Sequence, residues 1–407
     1  MKEVLNKLKN TDNSRRPLVY TLAFMLLFWT IYDCIVTYVA PLLISENGFS
    51  NSMMGLIIGS SSVAGALFDF LLCRIFKRSD FRRIFIIMLA ACFLYPLILW
   101  SAKTFWIFIV AMVAWGLYYD LYSFGVFDFI SRYTKKADYS ANFGVIQVFR
   151  SVGAVLAPLF VGLVIFEETV GPKPLILSWI FLSIATIFFI SLIIKAKKAG
   201  PIIKTETLER KRAWIAELRI WRRLGAKFFP LLLATFYLFF VESFFWTLAP
   251  LYAEMSDLKQ FGGLFLAAFN LPALLLGWFV GSFTRRLGKA KTAFWGILMG
   301  SLILASFHFF SSSLLVVAIT FISSCFLGLS FPAINSIYAD MIAARPKQET
   351  DIEGLEDFSF NLSYFFGPML AGVLADVFSI SWAFTLLGFF GLLIALFLWF
   401  SAYRKKR

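Results

Sequence analysis

The sequence predicts an all-α polytopic membrane protein whose twelve transmembrane helices form two pseudo-symmetric six-helix bundles. The first observation is composition, because 60% of the 407 residues are hydrophobic and only 15% are charged, whereas soluble domains carry about 25% charged residues. The others are a series of apolar runs long enough to cross a bilayer and a repeat between the two halves of the chain. A soluble protein, and with it a basic nucleic-acid-binding domain, is excluded.

Apolar runs separated by polar clusters define the predicted helices, because a backbone in lipid has to satisfy its own hydrogen bonds. In the first half the spans are Leu18–Ile44, Met53–Phe76, Ile84–Trp100, Phe105–Ile130, Phe143–Phe166 and Leu175–Ile194. In the second half they are Phe228–Tyr252, Phe261–Phe283, Ala293–Phe310, Leu314–Ile342, Phe358–Val377 and Trp382–Phe400. We expect an N-terminal bundle over residues 1–195, a cytosolic central loop over 196–227 and a C-terminal bundle over 228–407.

The distribution of positive charge predicts the orientation, because basic loops stay in the cytosol. Of the 38 lysines and arginines, 34 fall in the termini, the central loop and the even-numbered loops, which places both termini in the cytosol. The net charge of +14 therefore indicates orientation and contact with anionic lipids. Within the central loop an apolar stripe at helical spacing predicts an amphipathic helix on the membrane surface, although a solvated linker is the alternative. The stripe consists of Trp214, Leu218, Trp221 and Leu224.

Special residues recur between the two halves at an offset of 208 to 212 positions. The matched pairs are Asp33 with Glu242, Pro41 with Pro250, Gly55 with Gly263, Gly116 with Gly328, Asp128 with Asp340, and Gly144, Pro158 and Gly162 with Gly354, Pro368 and Gly372. The ordered matches indicate two related six-helix halves.

Six plus six helices around a cytosolic loop resemble the major facilitator superfamily of secondary transporters, over nearly the whole chain. Its motif after helix 2 is present in weakened form as Gly65, Asp69 and Arg74, and the matching stretch after helix 8 keeps Arg286. In this family such residues form conformational latches at the cytosolic helix ends. The resemblance implies that role for Gly65, Asp69, Arg74, Asp128, Asp340 and Arg286. The run from Gly153 to Gly162 is similar to a motif of the superfamily's antiporters, with simple helix packing as the alternative.

Charges inside the membrane are the candidate functional groups, because an ionised side chain at mid-bilayer costs about 2.5–3.5 kcal/mol. Since helices 1, 4, 7 and 10 line the central cavity in the superfamily, the resemblance implies that four polar residues meet substrate. These are Asp33, Asp120, Glu242 and Asn335. Arg150, at a depth similar to Asp120 on the next helix, is its expected ion-pair partner. Trp29, Tyr119 and Trp246 are rings that could surround a lipophilic cation, although packing explains them equally well.

These residues predict a proton-coupled transporter that works by alternating access, and three acids against one base disfavour an anionic substrate. We expect export of lipophilic or cationic compounds by a monomeric antiporter in a bacterial inner membrane. The alternatives are proton symport of a neutral solute such as a sugar, and a non-transporting receptor or scaffold. An enzyme is not expected, because the single histidine, His308, and the four cysteines form no catalytic, cofactor or metal-ligand pattern.

Overall fold

The computed structural model describes residues 15–75, 80–135, 138–165, 172–200, 214–255, 258, 261–276, 279–345 and 348–404. Within these ranges the chain is almost entirely helical and contains no strand. Eleven of the described helices are long and apolar enough to cross a membrane, and a shorter apolar helix, Gly262–Leu276, accompanies them. The predicted all-α fold of a polytopic membrane protein is confirmed.

Most helix boundaries lie near the predicted spans, but the span predicted over Phe261–Phe283 is described as two helices, Gly262–Leu276 and the start of Val280–Leu287. In the first half they are α1 Arg16–Glu46, α2 Asn51–Ile75, α3 Phe81–Ser101, α4 Phe105–Tyr133, α5 Tyr139–Ile165 and α6 Lys173–Ala199. In the second half they are α7 Trp214–Met255, α8 Gly262–Leu276, α9 Lys289–Leu304, α10 Ser313–Ala344, α11 Glu349–Val377 and α12 Ile380–Arg404. A short helix, Val280–Leu287, precedes α9, and a single 3-10 turn, Phe307–Phe309, follows it.

The predicted amphipathic segment differs from expectation, because it continues into α7 as one helix of 42 residues. The Trp221 ring packs on Gly354 of α11, where an added Cβ would lie 2.7 Å from the ring, and meets Phe358 edge-on. Leu224 is buried as well. This part of the stripe therefore lies against α11 rather than on lipid alone, while the side chains of Trp214 and Leu218 fall outside the described residues.

Helix α11 begins at Glu349, well before the predicted Phe358. The added turns carry five acidic residues, Glu349, Asp351, Glu353, Glu356 and Asp357. Acidic side chains are favourable near a helix N-terminus, because the helix dipole is positive there. Hydropathy misses these turns because the same charges lower the local average.

The chain divides into two compact units, Met1–Leu43 with Val63–Leu208, and Ile44–Ser62 with Glu209–Arg407. In the first unit α3 packs along α4 and against α6. In the second unit α9 packs on α10 and α12, α8 packs on α10, and α7 packs along α11. The first turns of α2 belong to the second unit and its remaining turns to the first.

Within the second unit the start of α2 lies directly against the end of α11, backbone to backbone. A Cβ on Gly372 would overlap the carbonyl of Asn51, and one on Gly55 would overlap the carbonyl of Pro368. Small residues permit such close approach between membrane helices. The Asp376 carboxylate accepts hydrogen bonds from the backbone N–H and side chain of Asn51, at 3.1 and 2.8 Å, and from those of Ser52, at 2.8 and 2.6 Å.

We expect Gly372→Ala to destabilise the protein by about 1–3 kcal/mol, because the added methyl overpacks this contact. The measurement is the melting temperature of the purified protein in detergent. Gly144→Ala is the matched control, since Gly144 is also helical but has no atom within 4 Å of an added Cβ. Equal melting temperatures for the two variants would contradict the close-packing role of Gly372.

Candidate functional site

A buried carboxylate on α1 is the centre of the candidate site in the first unit. Asp33 is 8% exposed and Trp29 is fully buried. The two residues are four apart, so they lie on the same face of α1, one turn from each other. A charged group at this place in a transmembrane helix requires hydrogen-bond donors from its neighbours.

An aromatic stripe on α4 supplies those donors. Residues Trp115, Tyr118, Tyr119 and Tyr122 follow the spacing of one helix face. Asp33 Oδ1 accepts a hydrogen bond of 2.8 Å from the Tyr118 hydroxyl and one of 3.3 Å from Trp115 Nε1. The carboxylate is thus held by two neutral donors rather than by a hydrogen-bonded ion pair.

Helix α3 supports the site from behind. The Tyr32 hydroxyl donates to the Cys92 carbonyl at 2.6 Å, and Trp29 Nε1 lies 3.4 Å from the Cys92 sulfur. Tyr95 meets Tyr118 edge-on. These contacts fix the rings that surround Asp33, so the site is built on three packed helices.

Arg150 on α5 is the cation of the site. Its Nη2 donates to the Tyr119 hydroxyl at 3.3 Å, and its Cζ lies 4.8 Å from the centre of the Tyr122 ring. Tyr122 in turn stacks on Trp29, with ring centres 4.4 Å apart. The Arg150 guanidinium and the Asp33 carboxylate are close enough to attract each other electrostatically.

Close packing of α5 on α1 accompanies the position of Arg150. A Cβ on Gly153, one turn after Arg150, would lie 2.8 Å from the Leu27 carbonyl. The glycine therefore permits the two backbones to approach. Close helix packing therefore accounts for Gly153, the first residue of the run that is similar to the antiporter motif.

Among the residues predicted to meet substrate, the first unit brings together Trp29, Asp33, Tyr119 and Arg150. Asp120 is half-buried beside Gly65 of α2, where an added Cβ would lie 3.4 Å from both carboxylate oxygens. The expected ion pair with Asp120 is not among the contacts of Arg150 that the structure describes, which are with tyrosines.

The other predicted substrate residues belong to the second unit. Glu242 and Trp246 are half-buried on α7, whereas Asn335 is exposed on α10. Phe245 stacks closely on Phe269, with ring centres 3.9 Å apart. The assignment of these residues to one substrate site stays a prediction.

The residues predicted to form latches differ in their hydrogen bonds, ion pairs and exposure. Asp128 at the end of α4 accepts from Phe81 N at 2.8 Å and from Arg132 Nε at 2.7 Å. Its matched residue, Asp340 at the end of α10, lies 2.6 Å from Lys289 Nζ. Arg286 is exposed. Of the remaining three, Gly65 is the buried glycine beside Asp120, whereas the side chains of Asp69 and Arg74 fall outside the described residues.

In both units an acid at the end of the fourth helix thus reaches the start of the third. Asp80, at the N-cap of α3, makes no side-chain capping bond, so Asp128 supplies the missing acceptor from another helix. In the second unit the contact is an ion pair with 66% of the Asp340 side chain exposed. The two halves thus share the position of the acid, but its contacts are more buried in the first unit than in the second.

Sequence reasoning missed Trp115, Tyr118 and Tyr122, which make most of the site's polar and stacking contacts. The spacing of the α4 stripe could have indicated them, but 19% of the chain is aromatic, so a stripe alone is a weak signal. No group of three or more possible metal ligands occurs among the described residues.

Comparison with known proteins places this geometry in a family of transporters. The sequence matches the profile of the Major Facilitator Superfamily over residues 19–351. No curated protein sequence matches the chain. Among the solved structures that share the fold are three transporters. The first is a bacterial homologue of the human lysosomal transporter Spinster in an inward-facing, unoccupied conformation. Its sequence is 14% identical and the TM-score is 0.74, with 97% of this chain and 98% of that one covered.

The other two are the nucleoside transporter NupG and a transporter of the POT family in complex with a thioalcohol-conjugated peptide. NupG has 12% identity and a TM-score of 0.68, with 95% of this chain and 98% of that one covered. The POT family transporter has 13% identity and a TM-score of 0.75, with 96% of each chain covered. At these identities the likeness concerns the fold alone.

We expect Asp128→Ala to destabilise the protein by about 1–2 kcal/mol, because it removes the acceptor at the start of α3 together with a half-buried ion pair. Asp340→Ala is the matched variant in the second unit and should cost about 1 kcal/mol or less, since its ion pair is exposed. Melting temperatures in detergent compare the two. A larger loss for Asp340→Ala would contradict this ranking.

Proposed function

Because the chain belongs to the Major Facilitator Superfamily, and is thus a multi-pass secondary transporter, we propose that its transport is coupled to protons and that Asp33 carries the coupled proton. The observation that supports this most is the carboxylate buried on α1 with neutral hydrogen-bond donors. Family membership points to transport rather than catalysis.

The surroundings of Asp33 suit a group that gains and loses a proton. A carboxylate that is hydrogen-bonded to an arginine would hold its charge strongly, whereas Tyr118 and Trp115 are neutral. The Tyr118 hydroxyl can donate to the ionised carboxylate and accept from the protonated one. Both states of Asp33 are therefore satisfied without a change in partner.

Alternating access supplies the coupling. A proton bound while the site opens to one side is released when the site opens to the other, provided that the two conformations bind the proton with different affinities. Burial of Asp33 in one conformation and hydration in the other would create that difference.

Export of lipophilic cations is the second candidate, and the acid on α7 supports it. Glu242 is half-buried, with Trp246 one turn away. Around Asp33, however, the partly exposed charge is that of Arg150, because Asp33 itself is buried and the half-buried Asp120 lies beside Gly65 of α2. We therefore place cation export behind a proton-coupled carrier of another solute class. Transport of a neutral solute such as a sugar, or the absence of transport as in a receptor, are further possible results of the proteoliposome measurement.

We further propose that both termini and the segment between α6 and α7 face the cytosol of a bacterial cell, with the chain in the inner membrane. The distribution of lysine and arginine supports this orientation. A fluorescent reporter that matures only in the cytosol, fused after Arg407, would test it. Fluorescence of the fusion is the expected result, and its absence in a membrane-inserted fusion would contradict the orientation.

We expect Asp33→Asn to abolish accumulation of substrate against a gradient while exchange across the membrane persists, because exchange requires alternating access but no net proton transfer. The measurement uses proteoliposomes with an imposed pH gradient and a tracer identified by a screen of dyes, sugars and peptides. The amide preserves the size of the side chain, which limits effects on folding.

Glu46→Gln is the control, because Glu46 is an exposed acid at the end of the same helix. It should accumulate substrate like the wild type. If Asp33→Asn also accumulated substrate in response to the pH gradient, Asp33 would not be the proton site. Glu242→Gln, tested in parallel, would then show whether the acid on α7 has that role.

A further inference from the structure

The first unit carries a partly exposed cation beside the buried Asp33, whereas its half-buried acid, Asp120, lies beside Gly65 of α2. Arg150 and Tyr119 are partly exposed, whereas Asp33, Trp29 and Tyr122 are buried. We propose that Arg150 binds the anionic group of a small organic acid and that this anion binds together with the proton on Asp33, an inference that rests on the proposed proton role of Asp33.

The hydrogen bonding of Arg150 leaves donors for a ligand. A guanidinium has five N–H groups in a planar fork, and its described hydrogen bond goes from Nη2 to the Tyr119 hydroxyl. The Nε atom is buried and has no hydrogen-bond partner among the described residues. A partly exposed cation with a buried Nε, whose partners are phenol oxygens and a ring face, is only partly compensated, and an oxyanion would complete its hydrogen bonding.

Asp33 compensates Arg150 from a distance rather than by contact. Its Oδ1 is occupied by Tyr118 and Trp115, and its interaction with Arg150 is electrostatic. When Asp33 gains a proton that attraction disappears, so an anion on Arg150 no longer competes with a nearby carboxylate. By linkage, each of the two ligands then raises the affinity for the other by the same factor.

Asp33 is the group that titrates in this arrangement. The titratable and charged groups that interact with it are Tyr32 on α1, Cys92 and Tyr95 on α3, Tyr118 and Tyr122 on α4, and Arg150 on α5. Phenols and thiols are uncharged near neutral pH, and arginine keeps its charge. Asp120 is a second acid on α4, but its carboxylate lies beside Gly65 of α2. Affinity for the anion should therefore fall as pH rises and Asp33 ionises.

The rings around Arg150 indicate the rest of the solute. Tyr119 and Trp115 are half-buried and flank the guanidinium and the carboxylate respectively. Aromatic faces at a partly exposed site favour an apolar or aromatic body beside the charged group. An aryl or alkyl carboxylate, sulfonate or phosphate has this combination of features.

The test compares four probes that share a benzene ring and differ in the attached group. Benzoate and benzenesulfonate are anions, benzylammonium is a cation and benzyl alcohol is neutral. The full-length purified protein in detergent is titrated with each probe, and the shift in melting temperature gives the affinity. We expect stabilisation by one or both anions and none by the other two, and the preferred anion indicates a planar or a tetrahedral group.

Variants assign the effect to Arg150. Arg150→Gln should weaken anion binding by about tenfold or more, because it removes a charge-assisted hydrogen bond. Arg150→Lys should retain part of the binding and also covers the case in which the glutamine variant does not fold. Arg223→Gln is the control for net charge, since Arg223 is exposed at the start of α7, and it should bind like the wild type.

The pH dependence uses benzenesulfonate, which stays ionised throughout. Wild-type affinity should be higher at acidic than at alkaline pH, whereas Asp33→Asn should keep the acidic affinity at both. If the variant instead retains the wild-type pH dependence while Arg150→Gln still loses the anion, Asp33 is not the proton site and both the proposed proton role and the linkage fail. The anion site on Arg150 would stand.

Three results would overturn the anion site itself. One is stabilisation by benzylammonium but not by either anion, which would favour cation export. Another is the absence of a shift with both anions. The last is equal anion binding by wild type and Arg150→Gln, which would place the anion elsewhere on the protein.

Discussion

A carboxylate inside a lipid-spanning helix has to be satisfied by its own protein, and this constraint organises the first unit. Asp33 is buried on α1, where lipid supplies no donor to its oxygens. Its donors come from Trp115 and Tyr118 on α4. The Tyr118 ring contacts Tyr95 of α3, and the neighbouring Tyr119 and Tyr122 contact Arg150. The contacts around the Asp33 carboxylate thus link four helices, α1, α3, α4 and α5.

Close helix contacts at glycine make such coupling possible. Gly153 lets α5 approach α1 next to Arg150, and Gly55 and Gly372 let α2 and α11 meet within the second unit. A methyl group at any of these positions would meet backbone of the facing helix. In a membrane the hydrophobic effect does not drive helices together, so packing and polar contacts of this kind determine which faces meet.

The sequence was sufficient to predict eleven of the spans, because the length and hydropathy of a run are local properties, whereas the eighth is described as a shorter helix, Gly262–Leu276. It was also sufficient to select Asp33, Arg150, Trp29 and Tyr119 as site residues, since buried charges and rings are rare enough to notice. It could not predict the partners. Matched depth suggested Asp120 for Arg150, but depth does not report the rotation of a helix, and the structure turns Asp120 toward Gly65 of α2.

The same limit explains the other differences. The amphipathic stripe and α7 were separated because charges between residues 214 and 227 lower hydropathy, although nothing in that stretch terminates a helix. The start of α11 was missed because its first turns are acidic. In both places the helix is stabilised by packing or by the helix dipole, which an average over hydropathy does not measure.

Formal charge is a poor guide to specificity when burial differs among the charged groups. Three acids against one base disfavoured an anionic substrate. In the structure, however, Oδ1 of the buried Asp33 already accepts hydrogen bonds from a phenol and an indole. Arg150 interacts with the neutral hydroxyls of Tyr119 and Tyr122, and its Nε has no hydrogen-bond partner among the described residues. Because the free energy of binding depends on donors and acceptors that are still available, the proposed anion site rests on the remaining donors of Arg150 rather than on a count of formal charges.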